Sequence, residues 1–569
     1  MPTRIGGDAR SRVRLALLAL AMLALAVRLW GISWQLPWLM HDDEDHYPGL
    51  ALRMVGSGDL DPRFFENPSL LIYWLVAQFW VLVHLASVLG GESVHALVTQ
   101  PDVSFFYLVG RLNSAVFGAA TVWATYWLGS LTVSRPIALL GALFLALNLL
   151  HVRDSHYATN DVAATFLLVL AAAAAARLWR NPTWSAYLVA GGLGGLAIGT
   201  KYNVGMLLLI LLAAHALAWR QRSASPVPLG RLVAAGGAMI LAFLATTPYA
   251  LINQDEVRND LFRQVGLASQ FFLGQPSEAV PLLYLLTLTQ AMGWLQVLLV
   301  VVGLGALLWR DRSAALLLSI FPIAYLLYMS QNSIFWVRLA IPLLPFLCLL
   351  AAAGCQALID RLRPKSGPAL AALGLLCLVQ PTVAVVQHNT IVSREDTRVL
   401  AYRWVVEHLV VGTHRVAADQ YGLRTPPWEP DQGETLVMSR TRLWRYDRQH
   451  FRERGYTHLA LNSFVQDLYT HPRTALMDDD FLESRHLNLP RERRRSEQHR
   501  AQHTPLATFA PGVGGTSIPY QYDDQKTPFW NLGAWERPGP TVTIYALGGA
   551  ASRDTADSSV DGGGRRSVP

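Results

Sequence analysis

The chain has 569 residues, of which 52% are hydrophobic and only 15% are charged. Soluble domains carry roughly 25% charged residues, so this composition excludes a wholly soluble protein and predicts a multi-spanning membrane protein. The net charge of +7 does not predict a nucleic-acid partner, because many of the basic residues flank apolar segments and are explained by membrane topology. No cysteine spacing indicates a disulfide framework or a Cys/His metal site.

Apolar windows follow one another along the first two thirds of the chain. A membrane span needs about 20 such residues. The first window resembles a signal peptide, but its apolar run continues through Leu29 and Trp30, which predicts an uncleaved span. The windows are about 14–33, 68–89, 106–131, 136–151, 162–178, 184–200, 203–219, 231–250, 284–309, 313–331, 336–359 and 368–388.

Basic residues in the gaps between the windows predict the topology, because they concentrate on the cytoplasmic side. All the basic clusters share that side only if window 68–89 does not cross but lies in the interface or re-enters. This arrangement predicts about eleven spans, a cytoplasmic N-terminus and an external C-terminus. Several polar loops then face the external side together: 41–46, 151–161, 199–203, 251–283 and 331–338.

The character of the sequence changes at about residue 390, where polar and apolar residues become mixed. Helix and strand patterns predict a small external α/β domain over 390–547, after a transmembrane domain over 1–389. Residues 34–105 are predicted to form the first external loop of that transmembrane domain, with interfacial helices. The tail 548–569, rich in Gly, Ser and Asp, is predicted to be disordered.

The loop 41–46 reads His-Asp-Asp-Glu-Asp-His. Adjacent carboxylates repel one another, so a cluster of this kind favours cation binding, proton transfer or both. Asp45 has a simpler explanation as the N-cap of a helix that begins near Pro48. We therefore assign function to Asp43 and Glu44.

Two more acids and three bases stand at the external ends of apolar segments. Glu66 and Asp161 each allow two interpretations, a ligand for a metal or substrate and a helix cap. Arg111, Lys201 and Arg338 oppose the positive-inside tendency, so each either holds an anion at the membrane boundary or extends to lipid headgroups. A carboxylate that takes a proton, next to cations that hold a phosphate, fits group transfer from a lipid phosphate to a hydroxyl.

Five segments carry a family resemblance through their order and spacing: HDDEDHYPGLALRMVGSGDLDPRFFENPSLLIY, LVGRLNSAVFGAATVWATYWLG, DSHYATNDVAATFLL, GTKYN and WVRLAIPLLPF. They resemble motifs of the protein O-mannosyltransferase-like, lipid-carrier-dependent glycosyltransferases of the GT-C fold, which include the lipid A aminoarabinose transferases. The resemblance covers about 34–250 and, more weakly, 330–547. It implies a mainly α, polytopic membrane protein with a GT-C-type helix bundle.

The resemblance also implies roles for single residues. Asp43 matches the catalytic carboxylate and Glu44 its acceptor-side neighbour, while Asp161 matches the acid of the second loop. The expected ligands of the donor phosphate are Arg111, Lys201 and Arg338.

Metal dependence stays open at this point. Relatives often have His-Pro before the Asp-Glu pair, whereas this chain has His41-Asp42, which adds an acid. The possible ligands of a divalent metal are Asp43, Glu66 and Asp161.

The sequence thus predicts an inverting glycosyltransferase of the plasma (inner) membrane. Its donor is a sugar on a polyprenyl phosphate, and its acceptor is a hydroxyl of an extracytoplasmic protein, glycan or lipid. A transporter or flippase of a lipid-linked sugar is one alternative; it would tolerate Asp43→Asn and would favour inverted repeats. A non-catalytic envelope protein whose domain 390–547 binds glycan is the other.

Overall fold

A computed structural model of the chain describes residues 7–91, 93–99, 102–222, 227–268, 275, 278–362, 367–423, 437–441, 443, 448–470 and 504–547. The helices up to the middle of the chain are α1 (Gly7–Leu29), α2 (Pro48–Ser57), α3 (Leu70–Gly90), α4 (Val94–Val98), α5 (Ser104–Thr132), α6 (Arg135–Ala146), α7 (Leu149–Asp154), α8 (Asn160–Arg180), α9 (Trp184–Ile198), α10 (Leu208–Gln221), α11 (Leu229–Thr246), α12 (Tyr249–Ile252) and α13 (Gln254–Ala268). The later helices are α14 (Val280–Met292), α15 (Trp294–Arg310), α16 (Arg312–Met329), α17 (Leu344–Leu362), α18 (Gly367–Val392), α19 (Thr397–His408), α20 (Arg448–Glu453) and α21 (Ser463–Thr470).

Every apolar window of the sequence overlaps at least one of these helices, which confirms the predicted polytopic helical architecture. By length and composition, eight helices in the described part of the chain could cross a membrane. A ninth span results if α14 and α15, which meet at a bend of 108°, are taken together. The prediction of about eleven spans also includes α1 and the shorter apolar helices α6 and α9, which this count leaves out.

Helix α3 corresponds to window 68–89, which we predict does not cross. Its 21 residues are apolar enough to span a bilayer, so length and composition alone do not decide the matter. Its side chains meet the N-terminal half of α5: the Trp74 indole N–H donates to Asn113 Oδ1 at 2.8 Å, and the rings of Phe79 and Phe106 lie 5.0 Å apart. The proposed interfacial position of α3 stays a prediction.

Single cysteines at two exposed positions test this topology. Ser57 precedes α3, and Ser134 follows α5. If α3 does not cross, an impermeant thiol reagent applied to intact cells should label Ser57→Cys and leave Ser134→Cys unlabelled. The three native cysteines are buried and give a low background. Labelling of both positions, or of neither, would mean that α3 crosses.

Close helix contacts in the bundle depend on small residues. A Cβ added at Gly191 or Gly195 of α9 would lie 2.1 or 2.2 Å from a backbone oxygen of α11. The same holds between α15 and α17, where a Cβ at Gly303 would lie 1.9 Å from the Leu350 oxygen. Glycines at such positions let membrane helices approach closely, and this packing holds the helix ends that carry the polar loops.

A five-stranded sheet follows the bundle and confirms the predicted α/β character of this region. The pattern of HRVAAD predicts a strand, that of RYDRQHFRERGYTHLALN a helix and then a strand, and that of TVTIYAL a last strand. The strands β1, β3 and β5 lie in these three segments, whereas β2 and β4 extend the sheet at its edges in the order β2-β1-β3-β5-β4. β1 pairs in parallel with β2 and β3, and β5 pairs antiparallel with β3 and β4. The strands are β1 (Val416–Asp419), β2 (Val437–Thr441), β3 (His458–Asn462), β4 (Pro505–Phe509) and β5 (Val542–Ala546).

The connection between β4 and β5 leaves the sheet and packs into the helical bundle. We call its central part, residues 520–530, the strap. Tyr522, Asp523, Thr527 and Phe529 of the strap are buried. The predicted boundary at residue 390 therefore separates two regions that share a buried contact. The predicted disordered tail 548–569 lies outside the described residues.

Candidate active site

A buried ion pair joins three segments at one end of the bundle. Arg111 of α5 donates from Nε and Nη2 to the two carboxylate oxygens of Glu44, both at 2.7 Å, and neither side chain is exposed. Arg111 Nη1 donates to the carbonyl oxygens of Ile32 and Trp34 at 3.1 and 2.5 Å. The backbone N–H of Ala158 donates to Glu44 at 2.8 Å. These bonds link the loop after α1, helix α5 and the loop before α8.

This geometry changes the interpretation of two predicted site residues. Arg111 was predicted to bind the donor phosphate, but its guanidinium is enclosed and its donors are directed to Glu44 and to loop carbonyls. Glu44 was predicted to be catalytic, and it is equally enclosed. Both residues are placed to hold the loop that carries Asp43 rather than to contact a substrate.

Asp43, whose side chain is 29% exposed, is the centre of the site. Its Oδ2 accepts hydrogen bonds from Arg338 Nη1 and from Lys526 Nζ, so one carboxylate oxygen faces two cations. Arg338 begins the segment that leads into α17, and Lys526 belongs to the strap. Both cations lie 5.7 Å from the centre of the Trp336 ring. The predicted proximity of Asp43 to a basic residue is therefore present in the structure.

The two cations control the protonation of Asp43. Burial raises the pKa of the Asp43 carboxyl, but the charges of Arg338 and Lys526 outweigh burial and hold that pKa well below its ordinary value. The carboxylate is therefore ionised, and its negative charge is balanced by the neighbouring cations. It can accept a proton readily only when another anion binds Arg338 and Lys526 in its place.

Asp161 and Lys201 form another ion pair, close to Asp43 and Arg338. Lys201 Nζ donates to Asp161 Oδ1, and these side chains are 13% and 3% exposed. Burial is the main cause that lowers the pKa of Lys201 below its ordinary value, and the charge of Arg338 lowers it further. The charges of Asp161 and Asp43 act in the opposite direction and raise it. The two pairs are thus close enough to influence each other's charge. Asp161 lies in the first turn of α8, whose N-cap is Thr159.

Glu66 lies apart from these pairs and contacts helix α13. Its carboxylate accepts a 2.7 Å hydrogen bond from Gln264 Nε2 and lies 2.5 Å from Arg263 Nη2. Capping does not explain Glu66, because the N-cap of α3 is Ser69. Among the residues that the structure describes, no group of three His, Cys, Asp or Glu is arranged to hold a metal ion.

The predicted metal ligands Asp43, Glu66 and Asp161 therefore do not fit a shared metal site. Each of these carboxylates pairs with a basic side chain instead. Asp43 pairs with Arg338 and Lys526, Glu66 pairs with Arg263, and Asp161 pairs with Lys201. A divalent ion would have to compete with fixed positive charges at each position. We derive no step through a metal.

Asp45 does not cap α2, contrary to the prediction. The N-cap of α2 is Tyr47, which makes no side-chain cap bond. Asp45 instead accepts a 2.9 Å hydrogen bond from the Tyr107 hydroxyl and lies 3.8 Å from Arg53 at the surface. Since its carboxylate contacts Tyr107 and Arg53 rather than the two cations of Asp43, its assignment outside the catalytic group is unchanged.

Arg153 of α7 anchors the strap. Its guanidinium donates to the Asp523 carboxylate at 2.8 Å, to the Asp523 backbone oxygen at 3.1 Å and to Thr527 Oγ1 at 3.2 Å. Gln290 of α14 donates to the Phe529 backbone oxygen at 2.9 Å. The sequence reading placed Arg153 in a polar loop but missed its partners, because they lie some 370 residues away in the chain.

Lys526 is the functional residue that sequence reasoning missed. One signal was available: the chain has only three lysines, at positions 201, 365 and 526, and 44 arginines. A lysine in the polar stretch QYDDQKT would nevertheless suit any solvated loop, so the composition of this stretch alone did not indicate a site.

A buried acid in the strap predicts a pH dependence. Burial raises the pKa of Asp524 to about 8, although the Phe529 backbone N–H lowers it. The pKa of a solvated Asp is about 4, so the docked strap binds this proton more tightly than a released strap does. Docking is therefore strongest near the pKa of the solvated carboxyl, weakens as the pH rises from about 4 to about 8, and changes little above that. We expect activity to fall as the pH rises towards about 8, and Asp524→Asn to move this alkaline limit upward.

Asp255→Asn on α13, whose side chain is 86% exposed, is the control for that pH profile. It should show the alkaline limit of the unmodified protein. An unchanged limit in Asp524→Asn would show that this carboxyl does not govern docking of the strap.

Comparisons with known proteins agree with this architecture. Residues 104–253, from α5 to the end of α12, match the model of a family described as dolichyl-phosphate-mannose-protein mannosyltransferase. A comparison with curated proteins found no match. The archaeal oligosaccharyltransferase AglB from Archaeoglobus fulgidus, in complex with an inhibitory peptide and a dolichol-phosphate, has a similar structure with a TM-score of 0.50 and 10% identity, covering 91% of this chain and 75% of that chain. ArnT from Cupriavidus metallidurans bound to undecaprenyl phosphate gives a TM-score of 0.49 and 14% identity; the comparison covers 94% of this chain and 98% of that chain.

These findings confirm the resemblance drawn from the sequence. The chain is a multi-pass membrane protein with the GT-C fold, and the family match extends over the helices that carry Arg111 and Asp161 and over Lys201. Together they support a membrane glycosyltransferase.

Proposed function

We propose that this protein transfers a sugar from a polyprenyl-phosphate carrier to a hydroxyl group on the external side of the plasma membrane. The observation that carries the proposal is the partly exposed Asp43 carboxylate, one oxygen of which accepts hydrogen bonds from both Arg338 and Lys526. A candidate base and a set of candidate phosphate ligands therefore occupy one place. The family match and the complex of AglB with a dolichol-phosphate support a lipid-phosphate donor of this kind.

The proposed reaction is a single displacement. The acceptor oxygen forms a bond to the anomeric carbon while the bond from that carbon to the phosphate oxygen breaks. The acceptor proton passes to Asp43, and the polyprenyl phosphate leaves with the bonding electron pair. Attack from the face opposite the phosphate inverts the anomeric configuration. Arg338 and Lys201 stabilise the negative charge that develops on the phosphate.

Arg338 and Lys201 should therefore contribute directly to donor binding. A hydrogen bond between charged groups contributes about 1.5–3 kcal/mol, so alanine at either position should weaken binding of the lipid-linked sugar by roughly 10- to 100-fold. Equilibrium binding to the purified protein measures this. Arg258→Ala on α13, where the side chain is 64% exposed, is the matched loss of a positive charge and should change little. Unchanged affinity in both alanine variants would place the phosphate elsewhere.

The identity of the sugar and of the acceptor can be tested in cells with and without the gene. Mass spectrometry of lipid-linked sugars and of envelope proteins, glycans and lipids should show one donor that accumulates and one acceptor that lacks a sugar. Identical profiles would argue against the transferase. Divalent-metal dependence can be tested on the purified protein by chelation.

The alternatives predict different results. A flippase would move the intact donor and would tolerate Asp43→Asn. A glycan-binding envelope protein would act through the region 390–547, with the carboxylates at the membrane surface dispensable.

A further inference from the structure

The position of Lys526 is fixed from several sides. The strap is held by Arg153 at Asp523, and Thr527, next to Lys526, contacts the Tyr157 hydroxyl and lies 3.2 Å from His388 Nε2. The Tyr522 ring stacks on Trp336 with centroids 5.3 Å apart. The ammonium group of Lys526 is thus delivered to the Asp43 site by a buried and well-anchored segment, and it is only 12% exposed.

Lys526 and Arg338 converge on a single point. Each donates to the same oxygen, Oδ2 of Asp43. Two cations that meet on one oxygen form a site for an anion, and a phosphate oxygen carries the same kind of charge with more acceptor capacity. The Asp43 carboxylate therefore occupies a place that also suits a phosphate.

The charges of the cluster leave room for one more anion. Its three ion pairs contain three cations, Arg338, Lys526 and Lys201, and two carboxylates, Asp43 and Asp161. The phosphodiester of a lipid-linked sugar carries one negative charge. Its arrival would balance the cluster, whereas a second anion would not be compensated.

We propose that Lys526 is a ligand of the donor phosphate, and that the donor displaces the Asp43 carboxylate from Lys526 and Arg338. This inference rests on the proposed function. It makes the C-terminal region part of the active site, because the strap supplies one of the phosphate ligands. It also makes base catalysis depend on the donor: Asp43 becomes available to the acceptor hydroxyl once the phosphate holds its cations.

Binding of a polyprenyl monophosphate without sugar to the purified full chain tests this proposal. Lys526→Met should weaken binding by about 10-fold or more, and Lys526→Arg should largely restore it. Arg454→Met, at an exposed position of the same region, is the control and should bind normally. Asp43→Asn should bind more tightly than the unmodified protein, because it no longer competes for the cations. That gain should shrink when Lys526→Met is also present.

The failures are distinguishable. If the unmodified protein does not bind the lipid phosphate at all, the proposed function itself is wrong. If it binds but Lys526→Met binds equally well, Lys526 is not a ligand. If Asp43→Asn binds no more tightly than the unmodified protein, the carboxylate and the phosphate do not compete; this arm does not depend on the folding of any Lys526 variant.

Discussion

Asp43→Asn is expected to reduce sugar transfer by about 10²–10⁴-fold, the usual loss when a general base is removed. Asn has nearly the shape of Asp but cannot accept the acceptor proton. The variant should still fold, insert and bind the donor, because the Arg338 and Lys526 cations remain in place. Turnover of purified protein with lipid-linked sugar and acceptor measures the effect.

Asp45→Asn is the matched control for that experiment. Asp45 lies two residues from Asp43, but its carboxylate contacts Tyr107 and Arg53 rather than the two cations of Asp43. Its activity should stay close to that of the unmodified protein. Near-normal turnover in Asp43→Asn, or a loss confined to Asp45→Asn, would show that the wrong carboxylate has been assigned.

The second large effect concerns stability. Glu44→Leu would leave the Arg111 guanidinium buried without its carboxylate, and breaking a buried ion pair in this way costs about 3–5 kcal/mol. Replacing both residues with apolar side chains should recover much of that loss, because no charge is then left buried. Thermal unfolding of the purified protein in detergent compares the single and double variants.

The exposed pair Arg53–Asp45 is the control for this prediction. Its side chains are 62% and 67% exposed, and a pair of this kind contributes little in water. Arg53→Leu should leave the unfolding temperature nearly unchanged. A Glu44→Leu variant as stable as Arg53→Leu would mean that Glu44 and Arg111 do not hold the loop of Asp43.

The fold was largely accessible from the sequence, for a physical reason. A segment that crosses or lines a bilayer must satisfy its backbone hydrogen bonds internally, so a long apolar window becomes a helix almost regardless of its neighbours. This is why windows as different as the alanine-rich 162–178 and the glycine-rich 184–200 both correspond to helices. The edge strands β2 and β4 carry no comparable signal, because a short strand depends on its partners.

The site was only partly accessible. The sequence singled out Asp43 and Arg338, and the structure pairs them. It could not separate Asp43 from Glu44, because adjacent carboxylates look alike in a sequence; in the structure Glu44 is enclosed with a buried arginine, whereas Asp43 is partly exposed. Lys526 was out of reach, because its role depends on a strap that returns to the bundle 483 residues after Asp43.

Donor turnover in sealed proteoliposomes tests the central claim most directly. Purified protein is reconstituted with a labelled sugar on a polyprenyl phosphate and with an acceptor, and the fate of the label is followed. We expect glycosylated acceptor of inverted anomeric configuration and free polyprenyl phosphate in equal amounts, both strongly reduced in Asp43→Asn. Intact labelled donor that reaches the other leaflet without cleavage, at the same rate in both proteins, would contradict the account.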